Sequence, residues 1–336
     1  MIDMARLVRL LPGMALATAI AALALIADAA GLTHFRTWWI PPLIIALVIG
    51  MMLRPVGKQA LFAPGIDVAG RTILRLGVAL LGVRLTFGDM VAGGIAPVLV
   101  AFCAVFATIG FGGLVSVWFG LSRDFGFLTG CSVGVCGAAA AMAAGAVLPK
   151  HENAERDVVF TVMGVNTLST IAMIVYPSLQ HSLGFSNFEM GVFLGGAIHD
   201  VAQVAGAGRM MSDQVLADSV MTKLIRVAFL LPAVLAIAWW VRSTGRKAGE
   251  ARLQPPWFLF GFIALAAINS TGVIPRGVQN IVQQASTIFI TVAIAALGIK
   301  TSLPGMLAIG VRPLALLVLE TLFILALVVA ILTILH

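Results

Sequence analysis

The sequence is poor in charge: only 10% of its 336 residues are Asp, Glu, Lys or Arg, while 60% are hydrophobic. A soluble domain averages about 25% charged and about 45–50% apolar residues, so this composition excludes a water-soluble globular fold. Long polar intervals are missing as well. The longest, roughly 242–256, is far too short to fold alone. There is no G-x-x-x-x-G-K-[ST], which argues against an in-chain ATP motor. Only three cysteines are present, Cys103, Cys131 and Cys136, all in apolar or Gly-rich context. An odd number without ligand spacing supports neither a disulfide scaffold nor a zinc site, so no metal or cofactor is expected. Cys131 and Cys136 are five positions apart and would lie on different faces of a helix.

What remains is apolar sequence in membrane-length runs. A hydrocarbon core about 30 Å thick takes about 20 residues of helix. Hydropathy places spans at roughly 10–31, 38–53, 66–86, 92–120, 125–149, 158–180, 188–208, 219–241, 257–274, 284–303 and 307–335. The fold class is therefore an all-α polytopic membrane protein of about eleven transmembrane helices, with residues 1–336 as a single integral membrane domain. The first run has the Arg6/Arg9 flank and the Ala27-Asp28-Ala29 end of a signal peptide, but it is longer than the usual apolar region and reads as a retained span. The net charge of +7 fits membrane topology better than nucleic acid, because the basic residues are scattered among loops. With the N-terminus inside, Arg6, Arg9, Arg54, Lys58, Arg123, Arg242, Arg246, Lys247 and Arg252 face the cytoplasm. Arg36, Lys150, Arg156, Arg209 and Arg276 then lie opposite. The positive-inside rule thus expects a cytoplasmic N-terminus.

One internal repeat stands out. Ala79-Leu80-Leu81-Gly82-Val83-Arg84 through Met90, Gly94 and Pro97 aligns with Ala295-Ala296-Leu297-Gly298-Ile299-Lys300 through Met306, Gly310 and Pro313 at a constant offset of 216. Seven positions are identical and Arg84 pairs with Lys300. Chance similarity of two Ala/Leu/Gly-rich spans is the other reading. If the repeat is real, segments 73–120 and 288–336 are related seven spans apart, and an odd shift inverts the second copy. Inverted repeats are characteristic of secondary transporters.

Two spans carry chemistry. The fifth contains Thr129-Gly130-Cys131-Ser132-Val133-Gly134-Val135-Cys136-Gly137-Ala138. Its glycines, with Ala141 and Gly145, form either a smooth stripe for helix packing or a break. A break would free backbone N–H groups for an anion, with Thr129 and Ser132 adding hydroxyls. The seventh holds His199, Asp200 and Gln203 in apolar surroundings. Ionisable groups cost about 2.5–3.5 kcal/mol each at the bilayer centre on insertion scales, so they seldom face lipid. His199 and Gln203, four apart, share a helical face. Either Asp200 simply accepts hydrogen bonds from a neighbouring helix, or the group relays a proton or cation.

Other polar residues are weaker candidates. Asp67 can pair with Arg71 on the face that also carries Arg75. Arginine there serves as an oxyanion clamp or as an interfacial snorkeller, and Lys223 and Arg226 open the eighth span in the same double role. Asn166, Asn269 and Glu320 read as helix–helix glue, and the Lys150–Asp157 cluster as a solvated loop. Gly130-Cys131-Ser132-Val133-Gly134 is literally G-x-S-x-G, but the nucleophile elbow needs a strand-to-helix turn. An intramembrane serine hydrolase with Ser132 and His199 is the competing class. His151-Glu152 lacks the second histidine of H-E-x-x-H.

Arg75 to Leu85, the C-x-x-x-x-C-G-A segment from Cys131 to Ala138, Ile198-His199-Asp200-Val201-Ala202-Gln203-Val204, Pro256-Trp257-Phe258 and Ile268-Asn269-Ser270 together resemble the YeiH-like family of bacterial inner-membrane proteins, often labelled sulfate exporters. The resemblance runs from about residue 10 to the C-terminus. Ala139 departs from it, where that family more usually has serine. The resemblance implies a fold related to sodium/proton antiporters and bile-acid symporters, with inverted repeats and broken helices crossing at the midplane. It further implies export of sulfate or a related anion.

The combined expectation is a secondary transporter of a small anion, inorganic or organic, in the inner membrane, and not an enzyme. Thr129, Gly130, Ser132, Gly134, Gly137, Arg84 and Lys300 are the expected substrate-binding residues, with His199, Asp200 and Gln203 as the coupling group for a proton or sodium ion. The expected partners are the anion and the lipid bilayer; homo-oligomerisation stays open.

Overall fold

The computed structural model describes residues 4–35, 38–39, 41–57, 59–86, 88, 93–246, 249, 257–301 and 310–335. Outside them lie Met90 and Met306 of the repeat, the loop residues Arg36, Lys58, Lys247 and Arg252, and Pro256. Among the described residues the regular structure is helical apart from a two-residue antiparallel ribbon, His34–Phe35 with Trp38–Trp39. The principal helices are α1 (Met4–Ala29), α2 (Pro42–Met52), α3 (Ala63–Val68), α4 (Leu74–Leu80), α5 (Ala96–Val115), α6 (Arg123–Gly134), α7 (Ala138–Val147), α8 (Ala154–Val175), α9 (Asn187–Ala197), α10 (Val201–Met211), α11 (Asp213–Ala228), α12 (Leu230–Ser243), α13 (Trp257–Ser270), α14 (Arg276–Lys300) and α15 (Val311–Leu335). Among the described residues, six helical stretches are long and apolar enough to cross a membrane: Arg9–Ala29, Ala96–Phe119, Ala154–Leu183, Asp213–Ser243, Arg276–Lys300 and Val311–Leu335. The other sequence-predicted spans are shorter, composite or interrupted.

Residues divide into two compact units, one formed by Met1–Ala92 with Pro256–Thr301 and the other by Gly93–Pro255 with Ser302–His336. In the first unit α1 supplies Ala17, Ile20, Ala21 and Ala24 to a buried core with Ala46, Ile66, Ala69, Ala295, Ala296 and Ile299. Small residues let the backbones touch. A Cβ added to Gly13 would lie 2.8 Å from the Gly65 Cα, so α1 and α3 cross at these glycines. A π turn over Ala69–Ile73 joins α3 to α4, and a 3₁₀ turn, Leu81–Arg84, ends it. The wide π turn changes the helical phase after Asp67. Asp67 therefore pairs with Lys300, at 2.6 Å, rather than with Arg71. The Arg75 guanidinium lies 5.8 Å from the Phe258 ring centroid.

Several helix ends and turn glycines lie 216 residues apart. The 3₁₀ turn ends at Arg84 and α14 at Lys300. Gly94 and Gly310 precede α5 and α15, and both have left-handed backbone, φ 63° and 95°. The helical stretches they introduce end at Phe119 and Leu335. Within the first unit, Gly82 packs on the Phe262 carbonyl of α13, and Gly298 packs on the Leu47 carbonyl of α2.

In the second unit α6 lies along α5 through Gly126, Gly130 and Gly134, one per turn. A Cβ on Gly130 would meet the Thr108 carbonyl at 2.7 Å, and one on Gly134 the Val105 carbonyl at 3.1 Å. Gly191 and Gly195 seat α9 on α11 in the same way. Ser122 caps α6 by accepting the Phe125 N–H, and Ser186 with Glu189 forms a capping box on α9.

Candidate functional site: two interrupted helices held by two buried cations

The fifth and seventh predicted spans are each broken in the middle. Helices α6 and α7 have 12 and 10 residues, and α9 and α10 have 11 each. At 1.5 Å per residue each half reaches only about 15–18 Å, roughly half of a bilayer core. The first break turns on Gly137, whose φ of 60° and ψ of −117° belong to glycine. The second runs through extended backbone at Ile198 (ψ 142°) and Asp200 (ψ 149°). Both readings of the fifth span's glycines are thus realised by different residues: 126, 130 and 134 pack, and 137 breaks.

A break at this depth frees carbonyls that water cannot satisfy, and each costs several kcal/mol if left alone. Helix α11 answers with Lys223 and Arg226, both fully buried. The Lys223 ammonium donates to the carbonyls of Val135 (2.7 Å) and Ile198 (2.9 Å). The Arg226 Nε and Nη2 donate to Gly134 and Val133, and its Nη1 donates to Gly195 (3.0 Å), Gly196 (2.7 Å) and Ile198 (2.9 Å). Two cations therefore cap the C-terminal ends of α6 and α9, where the helix dipoles concentrate partial negative charge. Between the two roles open to them in the sequence, clamp and snorkeller, the structure shows both side chains fully buried and engaged with backbone carbonyls.

The N-terminal ends of α7 and α10, which are partially positive, meet at one carboxylate. Asp200 Oδ1 accepts the Ala202 N–H at 3.1 Å, capping α10. Its Oδ2 lies 3.2 Å from where a Cβ on Gly137, the residue opening α7, would stand. Asp200 is partly exposed, whereas Ser132, His199 and Gln203 are fully buried.

The remaining expected residues are placed as follows. The Ser132 hydroxyl donates to the Gly137 carbonyl at 2.9 Å and braces the break. Thr129 reaches the Glu320 carboxyl at 2.7 Å. His199 Nε2 is 3.0 Å from Thr321 Oγ1, so Ser132 and His199 bond to other groups and form no Ser–His pair. Gln203 Nε2 lies 3.4 Å from Thr170 Oγ1. His199 precedes the first residue of α10, and the shared helical face expected for His199 and Gln203 does not form because the backbone is extended between them. Thr129, Gly130, Ser132, Gly134, Gly137, His199, Asp200 and Gln203 all belong to the second unit, while Arg84 and Lys300 belong to the first. Lys300 is there engaged with Asp67, and Asn269 donates to the Leu85 carbonyl at 3.2 Å.

Residues 12–317 match the model of a family described as conserved hypothetical protein 698. The chain is 44% identical over 294 residues to the UPF0324 membrane protein TauZ of Paracoccus pantotrophus, covering 86% of this chain and 87% of that one. It is 42% identical over 292 residues to the UPF0324 membrane protein CT0845 of Chlorobaculum tepidum, covering 86% and 81%. With the UPF0324 membrane protein RA0957 of Rhizobium meliloti it shares 36% over 329 residues, 96% and 92% of the two chains. No solved structure matches it significantly. These likenesses fit the YeiH-like resemblance carried by the Ile198–Val204 string, and the chain belongs to this family, conserved hypothetical protein 698, as a membrane protein.

Proposed function

We propose that this membrane protein is a secondary transporter that moves a small anion, sulfate foremost, across the cytoplasmic membrane, and that the crossing of the two interrupted helices is where the solute's charge is met. One observation carries the reading: Lys223 and Arg226 bring two basic side chains to the ends of both interrupted helices, where Asp200 supplies a carboxylate. The two cations already neutralise the negative ends of α6 and α9. The positive ends of α7 and α10 have Asp200 as their tethered anion, and a solute anion takes the same ends when that carboxylate is protonated or withdrawn.

The recurrence of the 216 offset in helix ends and in the left-handed Gly94 and Gly310 supports a repeat; in this account the repeat is inverted, within eleven passes, and the N-terminus lies in the cytoplasm. Discontinuous helices inside inverted repeats are how many secondary transporters build a midplane site. Export is the direction implied by the family resemblance. His199, Asp200 and Gln203 form the coupling group in this account, and no chemical step is catalysed.

Uptake of labelled sulfate into proteoliposomes, with and without a pH or sodium gradient, tests the proposal. Saturable flux above empty liposomes is expected. Flux of small carboxylates instead of sulfate moves the substrate to organic anions, and absence of flux for either class defeats the proposal. Wild-type flux in a His199→Ala/Asp200→Ala double variant removes the seventh span from the mechanism.

A further inference from the structure

Glu320 sits near the middle of α15, a 25-residue apolar helix, and has no exposed surface. Only half of its carboxyl group is satisfied. Oε1 accepts the Thr129 hydroxyl of α6 at 2.7 Å, whereas Oε2 has no hydrogen-bond partner among the described residues. Room for the carboxyl comes from Gly112 of α5, where an added Cβ would collide with Glu320 Oε1 and with the Gly126 carbonyl of α6. One turn before Gly112, the Thr108 hydroxyl is also buried without a hydrogen-bond partner among the described residues. The next residue of α15, Thr321, contacts His199 at the second break. Two consecutive residues of one helix thus touch both interrupted helices.

Helices α5, α6, α8 and α9 pack on α15. Their titratable groups are Cys103 on α5, Cys131 within α6, Tyr176 just past the end of α8 and His199 after α9; Arg123, Asp124, Glu155, Arg156, Asp157 and Glu189 lie in the first turns of their helices. On α15 itself Arg312 lies at the N-terminal end. No salt bridge to Glu320 exists among the described residues. An ionised carboxylate buried with one hydroxyl and no cation is the arrangement proteins avoid by binding a proton.

We propose that Glu320 is a proton-binding site of this protein: its carboxyl carries a proton in the arrangement seen here and gives it up when α15 and α6 separate and Oε2 gains partners. The site is distinct from Asp200, which is partly exposed and caps α10. Its link to transport rests on the proposed function above, but the proton itself is detectable without any solute.

The test is infrared difference spectroscopy of the purified full-length chain between neutral and alkaline pH. Wild type is expected to give a carboxylic-acid C=O stretching band that exchanges in heavy water, disappears at alkaline pH and is missing from Glu320→Gln. Thr129→Val, which removes the hydroxyl bonded to Oε1, should move that band to higher frequency, and it serves where Glu320→Gln does not fold. Absence of the band in wild type, its persistence in Glu320→Gln or its indifference to Thr129→Val overturns the proposal. In proteoliposomes, the ratio of sulfate flux with and without a pH gradient should fall in Glu320→Gln, and an unchanged ratio overturns the coupling role. A wild type that shows the band but transports no anion refutes the transport reading alone.

Discussion

Lys223 and Arg226 share an acceptor: the carbonyl oxygen of Ile198 lies 2.9 Å from the Lys223 ammonium and 2.9 Å from the Arg226 guanidinium. Three positions apart on α11, they stand on one face, so one helix closes both broken ends. This contact decides how severe the loss of either residue will be.

Arg226 serves five carbonyls and Lys223 two. Arg226→Gln should therefore destabilise the protein by about 3–5 kcal/mol, the usual cost of breaking a buried charged network. Lys223→Gln should cost less, and Arg226→Lys should recover only part, because an ammonium cannot fork to two helix ends. Thermal unfolding in detergent measures the order. Equal melting of Arg226→Gln and wild type would contradict the capping role.

The glycines should sort by their surroundings. Gly137→Ala forces a left-handed φ on alanine, at about 1–3 kcal/mol, and moves a methyl against Asp200. Gly130→Ala drives a methyl to 2.7 Å from the Thr108 carbonyl and should separate α6 from α5. Gly110→Ala meets nothing within 4 Å and should be neutral or stabilising by up to about 1 kcal/mol. The same unfolding assay ranks all three.

The offset of 216 makes a paired prediction. Gly82 packs on the Phe262 carbonyl of α13, and Gly298, 216 residues later, packs on the Leu47 carbonyl of α2. Gly82→Ala and Gly298→Ala should lower folded yield to a similar extent. A large loss for one with none for the other would argue that the offset is coincidental.

Asp200 sets a charge dependence. In the proposed function its carboxylate occupies the N-terminal ends that a solute anion would take. Asp200→Asn keeps an N-cap while removing the charge, so its affinity for sulfate should be higher than that of wild type. Titration of sulfate at one fixed pH checks the sign.

Much of this was legible in the sequence, for identifiable reasons. Apolar run length located the six helical stretches long and apolar enough to cross a membrane, and three glycines in eight residues marked the fifth span as unusual. The Ile198–Gln203 string could be recognised as special, but not as interrupted, because Ile198, His199 and Asp200 include no proline or glycine to mark the break. Lys223 and Arg226 were ambiguous because a cation opening an apolar run looks the same whether it snorkels outward or turns inward to carbonyls brought from 88 and 92 positions away. Ser132 looked like a ligand group, yet its hydrogen bond goes five residues along its own chain. The contacts of Lys223 and Arg226 are tertiary, and residue spacing carries no trace of them.

The most direct test of the central claim is anion-dependent thermal stabilisation of the purified protein, using sulfate, sulfite, bicarbonate and small carboxylates. A ligand binding only the folded state adds RT ln(1 + [L]/Kd), about 2.7 kcal/mol at a hundred times Kd. The account expects a saturable shift for at least one of these anions, larger in Asp200→Asn than in wild type at the same anion concentration. No saturable shift with any of them in either protein would contradict it.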